Sequence, residues 1–146
     1  MAMIAPMQIQ PKRLGDYLEV MTKAVFQSGM SWKVVDVKWP GFREVFGDFD
    51  PERLSDLSPD DVDRLAQDPR IIRNRRKIEA TIQNAATMLA LDREFQGFKN
   101  YLKSQSDFDT LSRDLVRRFK FLGTTGAYIF LWGVGEPVPE HTHDRR

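Results

Sequence analysis

The 146-residue chain contains no cysteine. That excludes disulfides, a thiolate nucleophile, and zinc or iron–sulfur sites held by sulfur. Histidine is scarce as well: His141 and His143 are the only two, and both lie at the very end. Long apolar runs are missing, and no segment approaches the roughly 20 apolar residues needed to span a bilayer. The first ten residues lack the basic start and apolar run of a signal peptide. There is no excess of charge either. With 22 Lys and Arg against 21 Asp and Glu the formal net charge is +1, so a surface for a polyanion has to come from local clustering. Strand-like alternation, internal repeats and low-complexity linkers are all lacking. A soluble, cytoplasmic protein is expected, with one core and no membrane partner.

What is present is helical periodicity. Leu14, Leu18, Met21 and Val25 recur at the spacing of an amphipathic helix over 12–27, which Ser28 and Gly29 end. Ser31 is a candidate N-cap for the next helix, and Trp39-Pro40 marks a break or kink before a short piece over 42–46. Asp50-Pro51 and Ser58-Pro59 each place a capping side chain before a proline at the first helical position. The longest periodic run spans 74–92, with Ile78, Ile82, Ala85 and Leu89 as its apolar stripe. Arg75, Arg76 and Lys77 load its first turn with positive charge, against the helix dipole and without an evident structural gain. Further helices are expected around Phe98 to Leu102, Phe108 to Val116, and Ala127 to Trp132. The pattern predicts seven to nine helices and no sheet. It divides into a flexible N-terminal arm (1–11), a helical domain (12–135) and a C-terminal tail (136–146).

Four constellations carry chemical possibilities. Residues 111–134 read as two helices joined by a tight turn at Gly123, a position expected to tolerate no side chain. Backbone N–H groups at the start of the second helix, with its dipole, make an anion site fit for a DNA phosphate. Phe121, Gly123, Thr124 and Thr125 would form that contact, while Arg118 and Lys120 supply charge. The plain alternative is an ordinary αα-hairpin. In Phe26-Gln27-Ser28-Gly29-Met30-Ser31-Trp32, a glycine bend sets a tryptophan beside small polar residues. Enzymes that act on a base pull it from the stack and hold it between aromatic or apolar faces. Trp32 can serve so, or can be core. Five of the eight residues 70–77 are basic, either a DNA-backbone patch or a solvated face paired to Asp61, Asp63 and Asp68. Glu140, His141, His143 and Asp144 cluster in the tail, where a metal site competes with an incidental terminus.

Taken together these segments resemble the 3-methyladenine DNA glycosylase I family of the helix–hairpin–helix glycosylase superfamily. The resemblance runs over 14–135 and rests on three stretches in order: Gln27 to Trp32; Ile71-Ile72-Arg73-Asn74-Arg75-Arg76-Lys77-Ile78-Glu79-Ala80; and Phe119 to Thr125. The FDPERL and SPDDVDRL patterns at 49–54 and 58–65 fall between the first two. The resemblance implies an all-α, single-domain helical bundle with the hairpin at 111–134. It also implies hydrolysis of the N-glycosidic bond of alkylated purines in double-stranded DNA, the opening step of base-excision repair, by a monomer. Trp32 matches the tryptophan that stacks on the extruded base, with Gln27, Ser31 and Phe26 as further base-binding residues. Phe121 to Thr125 match the DNA-binding hairpin. N3 alkylation leaves a cationic purine that departs readily, so positioning counts for more than a strong general acid.

The chain also departs from the family. The glutamate that hydrogen-bonds the alkylated adenine falls at Ala24, and loss of such a contact weakens specificity. The family's N-terminal segment has no counterpart before Lys12, its zinc cysteines are absent, and His141 alone would stand for a zinc ligand. No zinc and no other cofactor are expected. Pro137 to His143 is faintly similar to the superfamily's aspartate-bearing stretch, with Glu140 or His141 nearest that place. Three readings follow: a monofunctional glycosylase; a catalytically silent DNA- or lesion-binding module of the same fold; and a helical interaction protein using Trp39, Phe42 and Phe46 as an exposed anchor.

Overall fold

The computed structural model describes residues 8–140, so His141, His143 and Asp144 lie outside the described residues. Eight α-helices and no strand occur among the described residues: α1 (Leu14–Gln27), α2 (Trp32–Val45), α3 (Pro51–Ser55), α4 (Pro59–Leu65), α5 (Arg75–Glu94), α6 (Phe98–Lys103), α7 (Phe108–Arg118) and α8 (Thr124–Gly133). The all-helical expectation holds. So do the written helix starts: Asp50 accepts from Glu52 N at 3.1 Å, and Ser58 accepts from Asp61 N at 3.2 Å. The Asp61 carboxylate in turn accepts from Ser58 N at 2.8 Å and Ser58 Oγ at 3.1 Å, and these two bonds hold it below the usual aspartate range.

One core runs through the bundle. α5 packs on α3, α1 and α6, and α1 packs on α8. The buried face of α5 carries Ile78, Thr81, Asn84, Ala85, Met88 and Leu91. The expected stripe is therefore turned: Ile82 is only partly buried, as is Leu89. Two polar residues, Thr81 and Asn84, enter the face because each finds an internal acceptor or donor.

Of the break or kink expected at Pro40, the break does not occur. α2 continues through it to Val45. A proline inside a helix sacrifices a backbone bond and costs about 3 kcal/mol. Here aromatic packing offsets the loss: Trp39 stacks on Phe42 at 4.6 Å and on Phe49 at 5.4 Å, while Pro40 itself is exposed. Trp39, Phe42 and Phe46 are 5%, 0% and 2% exposed, which removes the exposed anchor that the interaction-protein reading required. Ile9 N donates to Gly133 O at 2.8 Å, and Gln8 Nε2 to Trp132 O at 3.1 Å.

Candidate functional site

α1 ends in a turn that depends on glycine. Gly29 has φ +72°, a conformation that L side chains rarely adopt, and it redirects the chain into α2. Ser31 caps that helix, its hydroxyl accepting from Val34 N at 3.4 Å, and this fixes Trp32 as its first residue. Trp32 is half-buried, and its ring meets no other aromatic ring among the described residues.

The turn is braced from below by Lys77. Its ammonium donates to Phe26 O at 3.1 Å and Ser28 O at 2.6 Å, the carbonyls at the end of α1. Lys77 is 4% exposed, pairs with no carboxylate among the described residues, and burial pushes its pKa down. The charge that opposes the dipole at the start of α5 thus completes the C-terminus of α1, where cations are favoured. That supplies the structural gain missing at the level of sequence.

The hairpin between α7 and α8 lies beside this turn. Asn84 clamps it from α5: Lys120 N donates to Asn84 Oδ1 at 2.7 Å, and Asn84 Nδ2 donates to Lys120 O at 3.1 Å. Phe119 and Leu122 are buried, whereas Phe121 stands out, 40% exposed with φ +60°. Arg76 lies over the Phe121 ring, 5.4 Å from its centroid. Gly123 is not the strained residue expected of it. Its φ is −94° and a Cβ there would touch nothing within 4 Å, so the left-handed position of the turn falls on Phe121 instead. No side chain caps α8, whose first residues Thr124 and Thr125 are exposed.

The two turns enclose a cleft of about 460 Å³. Ala24, Gln27, Ser28, Gly29 and Trp32 form one wall, and Phe121, Gly123, Thr124, Thr125, Gly126 and Ile129 form the other. Residues about 90 positions apart in the chain therefore meet, and no ionisable side chain lines the space. Of the expected base-binding residues, Trp32 and Gln27 line it. Phe26 is fully buried against Phe42, and Ser31 is spent on capping; neither reaches the lining.

The basic residues divide. Arg70 pairs with Asp68 and Glu44, and Arg75 with Asp63 and Glu79. Arg118 is drawn to Asp114 at 2.7 Å, which also holds Arg117 and accepts from Tyr101 Oη at 2.6 Å. Arg73, Arg76 and Lys120 pair with no carboxylate among the described residues. Of the tail, Glu140 is exposed and outside the cleft, while Glu136 is buried and bonded to Lys103. Among the described residues no three His, Cys, Asp or Glu side chains are grouped so that they could hold a metal ion, and both histidines lie outside them. None of the described helices is long and apolar enough to cross a membrane.

A family model described as methyladenine glycosylase matches residues 15–110. The chain belongs to the methyladenine glycosylase family. It is 35% identical over 130 residues to DNA-3-methyladenine glycosylase 1 of Escherichia coli K12, covering 75% of this chain and 70% of that protein. A crystal structure of 3-methyladenine DNA glycosylase I superposes with a TM-score of 0.75 at 30% identity, over 87% of this chain and 81% of the other. The Staphylococcus aureus enzyme, solved to explain 3-methyladenine recognition, matches with a TM-score of 0.77 at 25% identity, over 89% and 80%. The family model stops short of the hairpin, but the structural matches extend over most of the chain.

Proposed function

We propose that the protein is a monofunctional DNA N-glycosylase that removes N3-alkylated purines, 3-methyladenine first among them, from double-stranded DNA. The observation that carries this reading is the meeting of the 24–32 turn and the 121–129 hairpin around one cleft, in a chain of the methyladenine glycosylase family. Its volume lies in the range of about 300–1,000 Å³ usual for small-molecule sites. The Trp32 ring offers a stacking face to an extruded base. The uncapped start of α8, with Gly123 admitting close approach, suits a backbone phosphate, and Arg76 over Phe121 and Lys120 in the hairpin add positive charge, whereas Arg118 is held by Asp114.

The chemistry asks little of acids and bases. Alkylation at N3 gives the purine a positive charge, so the C1′–N9 bond breaks with its electron pair leaving on the base. Water adds its oxygen to C1′ and releases a proton to solvent. Holding the base apart from the duplex and excluding competing orientations is the protein's share. We read the protein as acting as a cytoplasmic monomer without a cofactor, so EDTA leaves its activity unchanged.

Single-turnover release of free base from methylated duplex DNA tests this. Wild type is expected to release 3-methyladenine. Trp32→Ala is expected to slow release by about tenfold to a hundredfold, the worth of one base–aromatic stack. A second reading, lesion binding without cleavage, is favoured by one observation: Ala24 and the rest of the lining bring no ionisable group to the cleft. Salt-sensitive binding to methylated duplex with no base released establishes that second reading.

A further inference from the structure

Gln27 is 4% exposed and lines the cleft. Among the described residues its Oε1 is the one buried side-chain N or O atom with no hydrogen-bond partner. Leaving a buried acceptor unsatisfied costs stability, and native structures seldom tolerate it without a reason. Lys77 holds the carbonyls of Phe26 and Ser28 on both sides, and Gln27 O itself accepts from Met30 N at 3.1 Å. The backbone that carries the carboxamide is thus held at three successive carbonyls, and the acceptor is unspent beside a ligand-sized space.

The surroundings narrow what can satisfy it. Trp32 presents a flat ring with no aromatic partner among the described residues, which suits a planar heteroaromatic. The lining offers no charged side chain, so the edge of such a ring must be recognised by a neutral group. An acceptor needs an N–H donor in the plane of that ring. We propose that Oε1 of Gln27 accepts a hydrogen bond from the exocyclic amino group of an extruded adenine-type base. Gln27 is then the residue that reads the base's edge, and Lys77 is its positioning residue. The inference rests on the glycosylase reading and deepens it.

Calorimetric binding of free 3-methyladenine, with thermal unfolding and duplex-DNA affinity measured alongside, tests it. Gln27→Leu keeps the volume and removes the buried acceptor. It is expected to bind the base about tenfold more weakly or worse, the worth of one buried hydrogen bond, with unchanged affinity for undamaged duplex and an unfolding temperature unchanged or raised. Gln27→Glu keeps an acceptor and is expected to retain most of the affinity. Equal binding by wild type and Gln27→Leu overturns the proposal. So does weakened binding in both variants accompanied by lower unfolding temperatures, which assigns Gln27 a packing role. If wild type releases 3-methyladenine from DNA while Gln27→Leu binds the free base normally, this inference fails and the glycosylase reading stands. If wild type neither releases nor binds it, both fail.

Discussion

At the scale of single residues, the molecule places its unusual groups where neighbouring elements need them. Lys77 is unfavourable for its own helix and favourable for the end of another. Asp114 does the equivalent for α7, tying Tyr101, Arg117 and Arg118 to one carboxylate whose side chain is 10% exposed. Burial opposes its ionisation, but bonds from Tyr101, Arg118 and Arg117 outweigh that and hold its pKa below the ordinary aspartate value. Both arginines are partly exposed, so their share is screened, and Asp114→Asn is expected to cost about 1–2 kcal/mol. The pH dependence has a definite sign. As pH falls, the unfolded chain takes up the proton first. The contribution is therefore complete above about pH 4 and is lost as pH drops through the lower folded value. Acid unfolding followed by circular dichroism should show wild type losing stability over this range more steeply than Asp114→Asn; parallel curves would deny the carboxylate this role.

At the scale of elements, the hairpin is held by other parts of the chain. Asn84 of α5 fixes Lys120 through both its amide atoms, and the left-handed residue is Phe121. Gly123 has an ordinary backbone conformation and open space where a Cβ would stand. The fold does not require glycine there; close approach of a DNA backbone would. Gly123→Ala is accordingly expected to lose less than about 1 kcal/mol of stability. It should bind duplex DNA about tenfold more weakly, because the methyl occupies the approach to the start of α8. A variant with undiminished DNA affinity would sever the hairpin from DNA contact. The same element shows how far a linear reading goes. Capping residues and apolar spacing declare the helices, because both act within a few residues of the chain. The persistence of α2 through Pro40 escapes such a reading, since it depends on Trp39 and Phe42 stacking with each other and with Phe49. The rotation of the α5 face escapes it as well, since Asn84 and Lys77 are buried only because distant carbonyls and amides await them.

At the scale of the whole molecule, near-zero net charge and a DNA-facing role are compatible because acidic residues neutralise selectively. Arg70, Arg75, Arg117 and Arg118 are drawn into ion pairs, while Arg76 beside Phe121 and Lys120 in the hairpin stay clear of carboxylates among the described residues. The motif order made the family legible in the sequence, and with it the turn and the hairpin as separate motifs; that the two meet around one cleft is visible only in the fold. What the motif order could not convey either is which side chains face the cleft. Phe26 and Ser31 belong to the same short motif as Gln27 and Trp32, yet helix geometry sends one into the core and commits the other to a cap. On the proposed function, the cleft between turn and hairpin receives the base. Mapping free 3-methyladenine onto the backbone amide signals of the protein by NMR titration tests it most directly. Shifts are expected to concentrate at residues 24–32 and 121–129. Shifts confined to the groove of Phe108, Arg113 and Val116 along α7, or no shifts at saturating base, would contradict it.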